Sequence, residues 1–156
     1  LSLPTTARAI HRRVVSRMVG DDERTESLLR VAAAFGGPFR LAEVSAVMGT
    51  SETSLVPAVE RLLELGVLVD EAPSLRFAHD LLAEAVLSSL SKAGRQALHR
   101  DIAAALRRAG APASRIAQHL VDGAAHGDLL AVATIREAAA STVGLPPAAR
   151  RAIRPA

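Results

Sequence analysis

The feature that most constrains this fold is one pair of β-prone runs in a chain whose other patterns are helical. Runs 67–69 and 75–77 flank the turn-like stretch 71–74, which predicts a short antiparallel hairpin. Apolar residues recur at helical spacing before the hairpin, within 28–35, 41–48 and 51–65, and again after it, from Asp80 onward. Helix, helix, turn, helix, hairpin and helix is the order of a winged helix-turn-helix.

Residues that commonly cap or end helices occur at the boundaries of the predicted helices. Asp21 and Asp22 offer N-caps for the segment that carries Leu28, and Gly66 suits the position just after the helix that ends at Leu65. Pro57 implies that this helix either starts near Ser54 or is kinked. The acidic trio 21–23 could hold a metal, but carboxylates that complement a helix N-terminus are the favoured interpretation.

We expect three parts along the chain. Residues 1–20 form a linker helix with apolar positions at helical spacing, 21–92 form the winged-helix domain, and 93–156 begin a series of antiparallel helices. Gly94 is expected to break the helical pattern, and 110–112 to link two helices. The last part resembles the start of a TPR-like α-solenoid, although no 34-residue period is visible. The chain begins at Leu1 and stops inside this array, so we expect it to be a piece of a longer protein.

Composition favours an all-α protein and excludes several functions. With no Cys, the chain has no disulfide, thiolate metal site or cysteine nucleophile. Three Phe and no Trp or Tyr argue against a base-stacking platform. A hydrophobic content of 49% is too high for a disordered chain. No signal peptide and no apolar run long enough for a membrane span are visible, so a cytoplasmic location without membrane partners is expected.

Charge is distributed unevenly, and its distribution argues against DNA binding by this segment. The overall charge is +3, but 41–71 carries six carboxylates against the single Arg61, whereas 92–115 carries six bases against Asp101. The helix that would enter the major groove, 51–65, has three Glu and one Arg. DNA phosphates would repel such a helix, so this winged helix is expected to be a packing module.

No catalytic motif is present, and one histidine stands out. The chain lacks a P-loop, a G-x-G-x-x-G run, H-E-x-x-H and G-x-S-x-G, so no enzymatic activity, catalytic residue or metal site is expected. His11 is expected to be solvated, His126 to lie in a loop, and His99 and His119 to pack beside apolar stripes. His79 opens the helix after the hairpin, where it either caps that helix with Asp80 or donates to a bound anion.

Several segments together resemble one known family. The run 75–86 (LRFAHDLLAEAV), followed by 95–99 (RQALH), looks like the "FrHdLvreav…R..lH" signature of STAND-type signalling ATPases, especially the large ATP-binding LuxR-family transcriptional regulators. The segments Leu3-Pro4, Arg8-Ala9-Ile10 and 28–36 resemble the connection from the helical lid to the winged helix. The segments 116–120, Gly127-Asp128 and Ala138-Ala139 resemble the first helices of the TPR-like sensor array.

The resemblance implies a function for His79 and Asp80. His79 matches the histidine of the "MHD" motif, which contacts the β-phosphate of bound ADP and holds related switch proteins closed. Asp80 matches the acid that follows, and Ala78 occupies the first motif position. The chain would then be a regulatory fragment. Its partners would be an upstream nucleotide-binding domain of the same parent chain, which binds ADP or ATP, and an inducer or protein ligand on the array.

This chain itself lacks the P-loop, so the resemblance implies no cofactor within it. Two other functions remain open from the residues: a stand-alone DNA-binding winged-helix regulator, and a helical interaction scaffold without nucleotide. The scaffold predicts that His79 packs among apolar side chains, whereas the nucleotide sensor predicts an exposed His79.

Overall fold

The computed structural model describes residues 22–123, together with the single positions 13, 16, 17, 20, 132, 133, 135, 136, 138 and 140. The part that it describes is mainly helical, with a small two-stranded antiparallel sheet. Its elements in order are α1 (Glu23–Ala34), α2 (Leu41–Met48), α3 (Glu52–Glu64), β1 (Leu68–Glu71), β2 (Ser74–Phe77), α4 (Asp80–Ser89), α5 (Lys92–Arg108) and α6 (Ala113–Gly123). The predicted mainly helical class with a small wing is confirmed.

The helix α1 begins where the sequence indicates. Asp22 is its N-cap, and its carboxylate accepts from the Arg24 backbone N–H at 3.1 Å. The Thr25 hydroxyl also donates to Asp22 and, as the main cause, lowers the pKa of that carboxyl. The buried residues of α1 are apolar except for Thr25, and Leu28 and Ala33 have zero exposure. Burial of these residues anchors α1 at the centre of the fold.

A tight turn joins α2 to α3. Gly49 ends α2 with φ of +63°, a conformation that side chains with a Cβ rarely adopt. Ser51 then caps α3 by accepting from the Ser54 backbone N–H. The helix α3 begins at Glu52, two residues before the start predicted near Ser54, and continues through Pro57. Pro57 lies on the exposed side of α3, where the carbonyl left without a donor can bond to water.

The wing is the predicted antiparallel hairpin, although its strands extend to Glu71 and Ser74, which the sequence assigned to the turn. Leu68 pairs with Phe77 and Glu71 with Ser74, around a turn with a cis bond before Pro73. Phe39, in the segment between α1 and α2, pairs with Leu75 through two backbone hydrogen bonds of 2.9 and 2.8 Å. The wing is therefore joined on one side to the first half of the domain.

The expected break at Gly94 is wrong, because Gly94 lies inside α5. The helical pattern is interrupted at Leu90 and Ser91 instead, where the backbone is extended. Ser91 caps α5 by accepting from the Gly94 backbone N–H at 3.0 Å. A Cβ on Gly94 would lie 3.2 Å from the Ser91 hydroxyl oxygen, so glycine here accommodates the cap rather than ending a helix.

The helices α5 and α6 form an antiparallel pair joined by a short turn. Gly110 (φ +69°) begins this turn, as the sequence predicts for 110–112. At the far end, a Cβ on Gly123 would lie 3.1 Å from the Arg100 nitrogen and from the Gln96 carbonyl oxygen. The two helix backbones therefore approach closely at this end of the pair. Val121 of α6 is 61% exposed.

The apolar core is continuous from the winged helix into this pair. Leu62 of α3, Leu28 of α1, and Ile102 and Leu106 of α5 belong to one buried cluster. The Arg115 guanidinium donates to the Glu43 carboxylate at 2.9 Å and thereby links α6 to α2. This link reinforces the packing between the two predicted domains.

Several predictions concern residues outside the described part of the chain. The linker helix over 1–20 lies outside the described residues except at Arg13, Ser16 and Arg17, which are helical, and at Gly20. The helix expected after Gly127 is described only at six positions between 132 and 140, all of them helical. His11 and His126 lie outside the described residues. None of the described helices is long and apolar enough to cross a bilayer.

Candidate functional site

His79 lies between β2 and α4. It is the N-cap of α4, with extended backbone (φ −138°, ψ 131°), and it is exposed. Its carbonyl accepts from the Leu82 N–H at 2.9 Å, while the neighbouring Ala78 N–H donates to the Val67 carbonyl at 2.9 Å. The backbone at His79 is thus held by the wing on one side and by α4 on the other.

The imidazole of His79 takes no part in this local hydrogen bonding. His79 occupies the N-cap position and Asp80 the first turn of α4, but no side-chain capping bond forms there. The ring makes no hydrogen bond with any described residue. The backbone holds its position, while the ring keeps its donor and acceptor free toward solvent.

The residues that follow His79 are also exposed. Asp80 is the first residue of α4, where its carboxylate complements the positive end of the helix. Leu81 is 76% exposed, the highest value among the large apolar side chains of the described residues that are exposed. A histidine, a carboxylate and an unburied leucine therefore stand side by side on one surface at the junction of wing and helix.

The candidate DNA-reading helix, α3, presents carboxylates to solvent. Glu52, Glu60 and Glu64 are exposed, and Arg61 is the one exposed base among them. Base readout depends on donors in the groove and on cations facing phosphates. The exposed side of α3 has the wrong charge for either interaction.

A second cluster is formed by two histidines that lie on different helices. His99 of α5 and His119 of α6 face each other with Nδ1 atoms 3.2 Å apart and ring centroids 5.4 Å apart. His119 is only 3% exposed, and its ring meets the Phe35 ring edge-on at 5.7 Å. The prediction that both histidines pack is confirmed, whereas their contact with each other was missed.

Burial sets the protonation of this pair. It is the largest cause that lowers the pKa of His119 to about 4, and the neighbouring His99 lowers it further. Burial likewise lowers the pKa of His99, with Asp122 acting in the opposite direction. Both rings are therefore neutral at pH 7, and one proton lies between the two facing nitrogens.

One signal in the sequence could have brought the two histidines near each other. The turn between the two helices covers 109–112. In an antiparallel helix pair, residues placed symmetrically about the centre of the turn lie at about the same level, so His99 is level with Asp122. His119 precedes Asp122 by three residues, about one helical turn. The position of the turn therefore places the two histidines within about one turn of each other, but their direct contact depends on which sides of the helices face each other.

The histidine pair forms one wall of a cleft of about 370 Å³. The cleft is lined by side chains from α1, α4, α5 and α6: Ala34, Phe35, Gly36, Leu87, Lys92, Arg95, Gln96, His99, Gln118, His119 and Asp122. His79 is not among them. It precedes Leu87 by eight residues, about 12 Å along α4.

Across the described residues, no group of three or more His, Asp or Glu side chains converges in a way that could hold a metal ion. Asp22, from the acidic trio at the start of α1, acts as a helix cap, and Asp21 lies outside the described residues. No family model, curated protein or solved structure matches this chain.

Proposed function

We propose that this chain is a regulatory segment of a STAND-type, LuxR-family transcriptional regulator. In this proposal the winged helix senses the nucleotide held by an upstream domain of the same polypeptide, and α5 and α6 begin a helical sensor array. The chain supplies no catalytic residue and no P-loop of its own. The proposal places the whole regulator in the cytoplasm, where its nucleotide and its promoter would be found.

The observation that supports it is the exposed and unpartnered imidazole of His79 on a backbone held by the wing and α4. A ring in this situation can donate to a phosphate oxygen brought by another domain, with little conformational rearrangement. The exposed Leu81 beside it gives that domain an apolar contact.

The mechanism is a conformational equilibrium. A hydrogen bond from His79 to a charged β-phosphate stabilises the ADP-bound, closed arrangement by about 1–2 kcal/mol. A ligand that binds the array in its open arrangement favours release of the winged helix and nucleotide exchange, because a ligand shifts an equilibrium only by its difference in affinity. The acidic surface of α3 opposes a direct role in DNA binding, and a separate domain would read the promoter.

The first test asks whether the nucleotide phosphate reaches His79. The longer polypeptide, which includes the upstream nucleotide-binding domain, is titrated with ADP and, separately, with AMP, while the backbone amide NMR signals of this segment are followed. We expect the signals at His79, Asp80 and Leu81 to shift with ADP more than with AMP, since AMP lacks the β-phosphate. Arg40→Ala serves as the matched control, because Arg40 is another exposed N-cap residue, at the start of α2.

The second test uses the longer polypeptide that the proposal implies. His79→Ala is expected to release ADP faster and to raise basal activity, whereas Arg40→Ala retains ADP like the unmodified protein. Unchanged ADP retention together with unchanged basal activity in His79→Ala would refute the proposal. Absence of a P-loop from the coding sequence upstream of Leu1 would refute the proposal as well. If this chain instead binds duplex DNA with an affinity that falls as salt rises, the stand-alone DNA-binding regulator is favoured.

A further inference from the structure

The cleft beside the histidine pair is lined by two aligned polar faces. On α5, Lys92, Arg95 and His99 share one side of the helix, at spacings of three and four residues. On α6, His119 and Asp122 face them from across the pair. A volume of about 370 Å³ falls within the range of small-molecule sites.

One ring nitrogen in this cleft is buried without a protein partner. The single proton between the facing Nδ1 atoms belongs to His99 or to His119. If His119 holds it, its Nε2 is a bare acceptor, and if His99 holds it, the Nε2 of His119 carries a proton to donate. In either tautomer, the Nε2 of His119 has no hydrogen-bond partner among the described residues, although this side chain is 97% buried. Buried polar atoms are nearly always satisfied, so this nitrogen points to an occupant of the cleft.

The charges around that nitrogen favour an anion. Lys92 and Arg95 make no side-chain hydrogen bond or ion pair within the described part of the chain, and both line the cleft. Asp122 is the one carboxylate in the lining, while α1 and α4 contribute only uncharged residues. The side-chain amides of Gln96 and Gln118 add neutral donors and acceptors. Two unpaired cations against one carboxylate leave an excess of positive charge.

We infer that this cleft binds a small oxyanion, a phosphate or carboxylate group, with Lys92 and Arg95 facing its charge and the His119 ring completing its hydrogen bonds. Arg and Lys are the usual partners of such groups, through charge-assisted hydrogen bonds. A bound anion would contact α5, α6 and the Phe35 end of α1 at once. It would thereby stabilise the packing of the helix pair against the winged helix, whatever the role of His79.

The same geometry gives the binding a pH dependence. The titratable and charged groups that face the histidines are Lys92 and Arg95 from α5, and Arg115 and Asp122 from α6. Arg95 and Arg115 disfavour protonated imidazoles, and an anion offsets their charge. Anion binding is therefore expected to raise the pKa of the His119 ring above its value of about 4.

The experiment titrates the chain with inorganic phosphate and, separately, with succinate at constant ionic strength, and follows its amide NMR signals. We expect saturable shifts at residues 92–99 and 118–122 for at least one of the two anions, complete by about 50 mM. Saturation by phosphate alone would identify a phosphate ligand, and saturation by succinate alone a carboxylate ligand. Arg95→Gln is expected to weaken binding about tenfold, the effect of losing one charge-assisted hydrogen bond.

Two control variants make the result specific. Arg108→Gln removes a cation from the opposite end of α5, where it is exposed, and is expected to bind like the unmodified chain. His79→Ala is also expected to bind normally, so failure of the cleft proposal and failure of the nucleotide proposal are distinguishable. The inference is overturned if neither anion gives saturable shifts, or if Arg95→Gln and Arg108→Gln weaken binding equally.

Discussion

Acid is expected to destabilise this protein through His119 before most of its carboxylates become protonated. The buried ring has a pKa of about 4 in the folded chain, against 6.5 for an unperturbed histidine. The unfolded chain therefore binds a proton at this position more tightly than the folded chain does. This contribution to stability is complete above pH 6.5 and is lost as the pH falls from 6.5 toward 4.

The size of the loss follows from the two pKa values. A pKa of 6.5 in the unfolded chain and of about 4 in the folded chain corresponds to a loss of about 3 kcal/mol once both states are protonated. Between pH 7 and pH 5, only the unfolded state becomes protonated to a large extent. Over that interval the free energy of unfolding is expected to fall by about 2 kcal/mol because of His119 alone.

The assay is urea unfolding at pH 7 and pH 5, followed by far-ultraviolet circular dichroism. The chain has no Trp and no Tyr, so helix content is the practical signal. His119→Gln removes the titrating group, while His79→Gln removes an exposed histidine and is the matched control. Each protein is compared with itself at the two pH values, because the loss of ring packing also changes the stability of His119→Gln at pH 7.

The unmodified chain and His79→Gln are expected to lose about 2 kcal/mol more than His119→Gln does. If all three proteins lose the same free energy between pH 7 and pH 5, His119 does not titrate as a buried neutral ring. The argument from burial would then be refuted.

Three further predictions concern stability and use the same unfolding assay at pH 7. Leu62→Ala is expected to cost about 2–5 kcal/mol, because this side chain has no exposed surface, and a loss below about 1 kcal/mol would contradict its place in the core. Ser91→Ala is expected to cost about 1 kcal/mol, since its hydroxyl accepts from the Gly94 N–H, and Ser91→Asp should retain most of the stability. Gly123→Ala is expected to lower the free energy of unfolding, because a Cβ would lie 3.1 Å from two backbone atoms of α5. Overpacking of this kind costs about 1–3 kcal/mol, whereas the gain in helix propensity from Gly to Ala is about 1 kcal/mol. Gly37→Ala has nothing within 4 Å of its added carbon, so an equal effect at both glycines would contradict this account.

Much of the fold could be predicted because its signals are local. The Asp22 cap, the bounds of α2 and the end of α3 just before Gly66 each depend on residues within about one helical turn. The antiparallel wing follows from β-prone runs on the two sides of a turn. These features need no knowledge of what the element packs against.

The prediction at Gly94 was wrong although the deciding signal is also local. Gly94 looks like a helix breaker in isolation, but Ser91 caps the helix that contains it. Contacts between distant segments, by contrast, could not be predicted. Leu62 and Ile102 meet in one core cluster across forty residues of sequence, which helical periodicity alone does not reveal.

For the candidate sites, the amino-acid sequence alone places His79 and Asp80 at the start of a helix, next to a wing, because capping and periodicity are properties of near neighbours. It also shows that α3 is acidic, which follows directly from its residues. The tertiary structure decides that the His79 ring is exposed and has no hydrogen-bond partner within the described part of the chain, and that the Nδ1 atoms of His99 and His119 lie 3.2 Å apart between α5 and α6. Those contacts depend on how α5 and α6 pack around the turn between them and on which side of this pair the winged helix covers. Both are set by packing between residues that are far apart in the chain.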